Sequence, residues 1–117
     1  GKVLLAGLTR EEFARYLDKT ELDRFTSDTI TDPTMLAKEI ERVRKDGYAL
    51  DLGERDEGVR CIAAPIKNQE DRVVAALSVS GPSMRMTASY INNELVPLVK
   101  SLAARISLQL GCREPGK

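Results

Sequence analysis

Residues 47–82 read GYALDLGERDEGVRCIAAPIKNQEDRVVAALSVSGP and carry the clearest secondary-structure pattern in the chain. Runs of apolar and β-branched residues predict three strands, at 48–52, 59–67 and 72–80. A polar loop at 53–58 and a turn at 68–71 separate them. Pro65 predicts a bulge or a local sheet edge within the second strand, because proline cannot donate a ladder hydrogen bond. The last two strands are therefore expected to pair as a hairpin.

The pairing of this hairpin determines which side chains meet. With a four-residue turn at 68–71, Cys61 faces Ser78 and Val59 faces Ser80. Directly opposed residues project from the same side of a sheet, so Cys61, Ser78 and Ser80 are predicted to converge on one patch. A turn of another length, or a bulge at the proline, would change this register.

The chemistry of this patch indicates recognition of a small molecule rather than catalysis. Hydroxyl, thiol and backbone amide donors can together hold a small polar anion. Asp51 ends the preceding strand, where a carboxylate would accept a hydrogen bond from a ligand hydroxyl, although the sequence alone does not place it at the patch. Simpler interpretations stay open: Cys61 as a small core residue, the serines facing water, and Asp51 as a turn residue.

Two helices are predicted before the strands. Thr9 and Glu12 form the Thr-x-x-Glu pattern of a capping box, which begins a helix. Asp32-Pro33 begins the next helix, with Asp32 or Thr31 as N-cap and proline at the first helical position, and Gly47 ends it. The expected buried stripe of this second helix consists of Leu36, Ile40 and Val43.

A third helical region is predicted after the strands, with Thr87 as a possible cap. Its apolar residues recur at helical spacing and are expected to be buried: Ile91, Leu95, Leu98, Leu102 and Ile106. Pro97 lies inside this pattern and cannot donate to the preceding turn. The helix is therefore expected either to kink at Pro97 or to be two helices.

Composition excludes several classes of function. A chain of 117 residues supports one domain, and its 18 basic and 18 acidic residues give no overall field that favours nucleic acid. The absence of histidine removes Ser-His-Asp and Cys-His catalysis and most zinc enzymes. Two cysteines cannot fill a structural zinc site, so neither a metal site nor a cofactor is expected.

The compartment is predicted from what the sequence lacks. It contains neither an apolar run long enough to span a bilayer nor an export signal. Cys61 falls in a predicted strand and Cys112 in a terminus expected to fray, so no structural disulfide is expected. A cytoplasmic protein is the simplest interpretation.

The central block resembles the effector-binding domain of IclR-type bacterial transcription regulators. The resemblance rests on Asp-x-x-Glu-x-x-x-Gly-x-x-Cys-x-Ala, which is Asp51, Glu54, Gly58, Cys61 and Ala63 here, and on AALSVSGP at 75–82. Further matches, in order along the chain, are GKVLLA at 1–6, Ile30-Thr31, Gly47-Tyr48-Ala49, and Ile106-Ser107 ahead of Leu110-Gly111.

The resemblance implies a GAF-like α/β (α+β) fold, in which an antiparallel sheet is flanked by helices. It also implies a sensor, not an enzyme, for a small organic acid such as a keto, sugar or aromatic acid. Matched position by position, the ligand-binding residues are Asp51, Cys61, Ser78 and Ser80. A homo-oligomer, dimer or tetramer, is expected by the same resemblance.

Residues 1–117 are interpreted as a fragment of that effector-binding domain, incomplete at its N-terminus. The family's winged helix-turn-helix has no counterpart in this sequence, so operator DNA would be bound by the parent protein through that missing domain. Two alternatives remain. One is a GAF-like oligomerisation module that binds no ligand. The other is an enzyme with Cys61 as nucleophile, for which the chain offers no histidine base.

Overall fold

The computed structural model describes residues 1–23, 26 and 29–113. The helices are α1 (Lys2–Ala6), α2 (Arg10–Lys19), α3 (Pro33–Asp46), α4 (Ala88–Tyr90) and α5 (Val96–Gln109), with a π-helical turn, Ile91–Leu95, joining the last two. The strands are β1 (Ala49–Leu52), β2 (Val59–Lys67) and β3 (Val73–Pro82). They form one antiparallel sheet in the order β1-β2-β3. The predicted α+β class is thus confirmed.

The helices before the sheet begin and end as their sequence predicts. The Thr9 hydroxyl accepts from Glu12 N while the Glu12 carboxylate accepts from Thr9 N, a complete capping box for α2. Asp32 caps α3 through Thr34 N, and Gly47 ends it at φ 79°. This left-handed conformation suits glycine because a Cβ would be strained there.

The two faces of the sheet are covered by different layers. One face presents Ile62, Ala64 and Ile66 to α5, and the three side chains are buried in the main core. On the opposite face, Ala49 and Ala63 pack against Val3 of α1 and Val43 of α3. Phe13, Leu36 and Ile40 then join α2 to α3 beneath α1. This second face, only partly covered by α1, is the one on which the predicted patch lies.

The predicted register of the hairpin is wrong by two residues. Cys61 is opposite Ser80 rather than Ser78, Ala63 is opposite Ser78, and Val59 is opposite Pro82. The turn is one residue longer than expected, and a bulge between Ile66 and Lys67 adds the second residue. Because side chains alternate with a period of two, an even shift leaves them on the same face.

The turn itself explains its extra length. The Asn68 side-chain oxygen accepts from both Glu70 N and Arg72 N, and Asp71 adopts φ 61°. Arg72 is therefore part of the turn instead of the first residue of β3. The bulge predicted at Pro65 occurs one residue further along the strand.

The buried stripe of the last helical region also differs from the prediction. Ile91 and Leu95 are buried as expected, but Leu98 and Leu102 are 50% and 38% exposed. The buried positions after the π-helical turn are instead Val99, Ala103 and Ser107. The turn closes with a bond from Val96 N to Ile91 O, which spans five residues instead of four and moves the stripe by one residue. The interruption next to Pro97 is this widened turn and not a break between two helices, because Tyr90, Ile91, Leu95 and Val96 all keep helical dihedrals.

Ser107 provides a hydrogen-bond acceptor for the backbone N–H of Lys67, next to the bulge that interrupts the β2–β3 ladder. It is 1% exposed, and its hydroxyl accepts from Lys67 N at 2.9 Å and donates to Ala103 O at 2.8 Å. We expect Ser107→Ala to lower the free energy of unfolding by about 1–3 kcal/mol, because the partly buried Lys67 N–H loses the Ser107 hydroxyl as an acceptor. Chemical denaturation measures this difference. The matched control is Ser101→Ala on the exposed side of α5, expected within about 0.5 kcal/mol of wild type. Equal effects of the two substitutions would contradict this role.

Cys112 does not lie in a frayed terminus. It is 2% exposed, and its Sγ lies 3.7 Å from Asp71 Oδ1 in the hairpin turn. Both cysteines are free thiols. The C-terminal end of the described chain is thus packed against the turn between β2 and β3.

Candidate functional site

A cavity of about 550 Å³ opens on the face of the sheet that α1 only partly covers. Its floor is formed by side chains of all three strands, including Ala49, Cys61 and Ala76. Its walls come from α1, from Tyr16 of α2 and Leu36 of α3, from the described residues 21–23, 29 and 30 between those two helices, and from the loop after β1. The strand alternation explains this placement, because every second residue of each strand points to this face.

Three of the four predicted site residues line this cavity: Asp51, Cys61 and Ser78. Asp51 is directly opposite Cys61 across the β1–β2 pair, which settles a position that the sequence left open. Ser80 is opposite Cys61 across the β2–β3 pair. Among the described residues of β3, Ser78 lines the cavity and Ser80 does not. The structure therefore brings the four residues onto one face and three of them into one cavity.

The solvent exposure of Cys61, Ser78 and Ser80 tests the simpler interpretations, in which the cysteine is a core residue and the serines face water. Cys61 is half-buried and so is not a fully enclosed core residue, while Ser78 and Ser80 are exposed. For Ser78, this exposure is toward the cavity. A thiol and a hydroxyl are thus accessible to a small molecule from the same side of the sheet.

Asp51 has a structural role in addition to its place at the cavity. Its Oδ1 accepts from Gly53 N at 3.1 Å and from Glu54 N at 2.8 Å, which holds the loop after β1. The interpretation of Asp51 as a turn residue is therefore correct. Both bonds use Oδ1, and among the described residues Oδ2 has no hydrogen-bond partner, so this oxygen remains available to a ligand donor.

The loop after β1 is also tied to the segment between α2 and α3. Thr26 is 8% exposed, and its hydroxyl donates to Gly53 O at 2.6 Å. The Thr29 hydroxyl donates to Glu54 O. These contacts join residues 25 to 27 positions apart, and no local pattern in the sequence predicts them.

Lys2 is the main residue that the sequence reasoning missed. Its ammonium group donates to Glu54 Oε1 at 2.6 Å and to Leu50 O at 2.8 Å, and its side chain is 14% exposed. Glu39 Oε1 of α3 lies 3.9 Å away. Lys2 belongs to the GKVLLA motif of the resemblance, yet only the tertiary structure reveals that it faces the cavity.

The charged side chains that the described residues place around the cavity are mostly negative. Among these residues, Lys2 and Arg55 are the cations that line it, against the four carboxylates of Glu21, Asp23, Asp51 and Glu54. Burial raises the pKa of Glu54, and Asp51 and Glu39 add to this effect, while the hydrogen bond from Lys2 opposes it. In the described part of the chain, no group of three or more cysteine and carboxylate side chains is arranged to hold a metal ion.

A second cavity, of about 150 Å³, lies between α1, α3, β2 and α5. Three of its four described cationic lining residues contact other elements of the structure: Arg44 donates to Ala6 O and Leu8 O, Lys100 donates to Asp46 O, and Lys67 lies 3.6 Å from Asp71. These contacts connect the layers of the fold, so we assign this cavity a structural role.

Comparison with known proteins identifies the class of this domain. Residues 1–108 match the family described as the C-terminal domain of bacterial transcriptional regulator IclR. The HTH-type transcriptional repressor AllR of Salmonella typhi is 41% identical over 98% of this chain and 42% of its own length. The chain belongs to the IclR family of bacterial transcriptional regulators and corresponds to its effector-binding domain. Its homologues are regulators, not enzymes, which rules out the Cys61 enzyme.

Solved structures agree with this assignment. The crystal structure of Thermotoga maritima IclR matches with a TM-score of 0.88 at 37% identity, over 94% of this chain and 44% of that one. A double mutant of the PobR inducer-binding domain from Acinetobacter, in complex with 3-hydroxybenzoic acid, matches with a TM-score of 0.86 at 32% identity. That match covers 91% of this chain and 61% of the PobR chain. Compared with the curated relative AllR, the present chain spans about two-fifths of the length.

No helix among residues 1–23, 26 and 29–113 combines the length and the apolar composition needed to cross a bilayer.

Proposed function

We propose that this domain senses a small organic acid, of the keto, sugar or aromatic class, and thereby controls DNA binding by the regulator to which it belongs. The observation that carries the proposal is the open cavity on the sheet face, lined by Asp51, Cys61 and Ser78. A cavity of this size accommodates a small molecule that is bound by a few polar groups on an otherwise apolar floor.

The roles of the individual residues follow from their donors and acceptors. The Ser78 hydroxyl donates to the oxygens of the acid, and the Cys61 thiol does so by turning its S–H away from Ile62 O, 3.7 Å from Sγ. Asp51 Oδ2 accepts from a hydroxyl or hydrate group on the acid. Ser80, beside Cys61 on the same face, extends this polar row and contacts the longer members of the acid class. The acid bound by the PobR domain is an aromatic example of such a ligand.

The partners of the whole regulator form the second part of the proposal. Operator DNA is bound by a winged helix-turn-helix domain outside residues 1–117, and the regulator acts in the cytoplasm as a homodimer or homotetramer. The ligand exerts control by binding one arrangement of the paired DNA-binding domains more tightly than another. An oligomerisation module without a ligand is less well supported, because side chains would then be expected to fill the cavity.

The test is isothermal titration of the intact regulator with pyruvate, gluconate and 3-hydroxybenzoate, followed by measurement of its affinity for operator DNA. We expect saturable heat with at least one acid, and a change in DNA affinity at saturating concentrations of that acid. The matching amides, which lack the negative charge, serve as controls and are expected to bind more weakly. An absence of binding by all three acids, with the DNA affinity unchanged, would overturn the proposal.

A further inference from the structure

We propose that Lys2 is the cation that binds the carboxylate of the acid, and that Glu54 competes with the acid for the Lys2 ammonium group. This inference rests on the proposed function and assigns the charge recognition within the same cavity. The four residues already considered, Asp51, Cys61, Ser78 and Ser80, supply donors and acceptors but no positive charge. An acid bound by them alone would face the negative charge of Asp51 without compensation.

Lys2 is positioned for this role by its surroundings. It lines the cavity from α1, opposite the floor of strands, and its ammonium group is held at 2.8 Å from Leu50 O, one residue before Asp51. An ammonium group has three N–H donors, and two of them are used by Leu50 O and Glu54 Oε1. The third donor, together with the one given to Glu54, can bind a carboxylate without loss of the anchor to β1.

Arg55, the other cation among the described residues that line the cavity, is less suited to this role. Arg55 lies in the loop after β1 and is exposed to solvent, whereas the Lys2 side chain is 14% exposed. A charge-assisted hydrogen bond gains more where water is largely excluded, because the effective dielectric constant is lower. The carboxylate of the acid is therefore expected to bind at Lys2.

Glu54, at 2.6 Å, is the nearer internal competitor for the same ammonium group, and Glu39 Oε1 lies further away at 3.9 Å. Its side chain is 22% exposed, and it faces Lys2 of α1, Glu39 of α3 and Asp51 of β1. The other charged side chains that described residues place around this cavity are Arg55 in the same loop and, between α2 and α3, Glu21 and Asp23. A bound acid adds a further negative charge beside Glu54, so acid binding favours the protonated form of Glu54.

Proton uptake at Glu54 gives the binding reaction a pH dependence with a definite sign. Burial and the neighbouring carboxylates already raise the pKa of Glu54, and the bound acid raises it further. Because the complex then holds more protons than the free protein, affinity for the acid increases as the pH falls toward the pKa of Glu54.

The experiment compares Lys2→Gln with Glu54→Gln in the intact regulator, titrated with whichever acid among pyruvate, gluconate and 3-hydroxybenzoate binds the wild type most tightly. Lys2→Gln is expected to weaken binding by about 10- to 100-fold, because a charge-assisted hydrogen bond is lost. Glu54→Gln is expected to tighten binding by about 2- to 5-fold and to abolish its pH dependence, because the competitor no longer carries a charge. Neither substitution is expected to change affinity for the amide of that acid by a comparable factor.

The opposite signs distinguish recognition from a structural role. Both substitutions break the same Lys2–Glu54 ion pair, so a purely structural pair would make both variants bind more weakly. Lys38→Gln and Glu57→Gln remove the same charges from exposed positions that do not line the cavity, and they are expected to bind as the wild type does.

Each outcome of this experiment supports or overturns either the assignment of Lys2 or the sensor function. Weaker binding by both variants, or unchanged binding by Lys2→Gln, would overturn the assignment of Lys2 while leaving the sensor function intact, since the wild type still binds. Failure of the wild type to bind any of the three acids would instead overturn the sensor function and this inference with it. If Lys2→Gln does not fold, as judged by thermal unfolding, the sign of the Glu54→Gln effect and its pH profile still give the answer.

Discussion

Ser78→Leu is expected to weaken binding of the acid by at least about 100-fold, equivalent to about 2.7 kcal/mol, without unfolding the domain. Ser78 lines the cavity from β3 and is exposed on that side, so a leucine is accommodated at the expense of the cavity volume. The substitution also removes a hydroxyl donor. Isothermal titration with the acid that binds the wild type measures the loss, and thermal unfolding checks that the fold is preserved.

Two further substitutions separate the loss of the hydroxyl donor from the loss of cavity volume in Ser78→Leu. Ser78→Ala removes the hydroxyl but keeps the volume free, and is expected to weaken binding by only about 1 kcal/mol, the usual net value of one hydrogen bond. Ser101→Leu makes the same change as Ser78→Leu at an exposed position of α5, away from the cavity, and is expected to leave affinity unchanged. Binding by Ser78→Leu at wild-type affinity would show that the acid does not occupy this cavity.

Val99→Asp is expected to lower the free energy of unfolding by about 4 kcal/mol or more, enough to unfold a domain of ordinary stability. Val99 is 0% exposed and packs in the core against the sheet, so the aspartate would be buried as an unpaired charge. Leu98→Asp, at the neighbouring position, is expected to change stability by less than about 1 kcal/mol because Leu98 is 50% exposed.

This pair of substitutions tests the helical register directly. The sequence pattern predicted a buried Leu98, whereas the structure buries Val99. Urea denaturation of both variants measures the difference, and the milder pair Val99→Ala and Leu98→Ala is expected to give the same order of effects with both variants folded. A larger loss of stability for the Leu98 variants would mean that the π-helical turn is absent and that the original pattern was correct.

The π-helical turn shows why the sequence alone misplaced this stripe. Ile91, Leu95, Leu98, Leu102 and Ile106 fit a regular α-helix, so their spacing gave no reason to insert a residue. Pro97 indicated an interruption, because it cannot donate to the preceding turn, but it did not indicate that the turn would widen to five residues. A change of one residue rotates the buried stripe by about 100° around the helix axis, so Val99 and Ala103 take the place of Leu98 and Leu102 in the core.

The hairpin illustrates the opposite case, in which a register error had little consequence. The longer turn, held by the Asn68 side chain, and the bulge after Ile66 together shifted the pairing by two residues. Because this shift is even, Cys61, Ser78 and Ser80 still project to the predicted side. Caps and strand alternation are local properties, and this is why the capping box at Thr9 and the end of α3 at Gly47 were predicted correctly.

The residues around the predicted patch were accessible only through tertiary structure. Lys2 and Glu54 are 52 positions apart in the chain, and their ion pair depends on how α1 docks on the sheet. The same holds for Thr26 and Thr29, whose hydroxyls bind the loop after β1. The sequence therefore indicated the polar row on the floor of the cavity, but not its walls or its balance of charges.

A crystal structure of the intact regulator, grown with the acid that gives saturable heat, is the most direct examination of the proposed site. We expect electron density for one acid molecule above the floor of the cavity, within hydrogen-bond distance of the Cys61 thiol and the Ser78 hydroxyl, with its carboxylate at Lys2. An acid molecule bound elsewhere on the domain, or a cavity closed by side chains of the protein itself, would contradict the proposal.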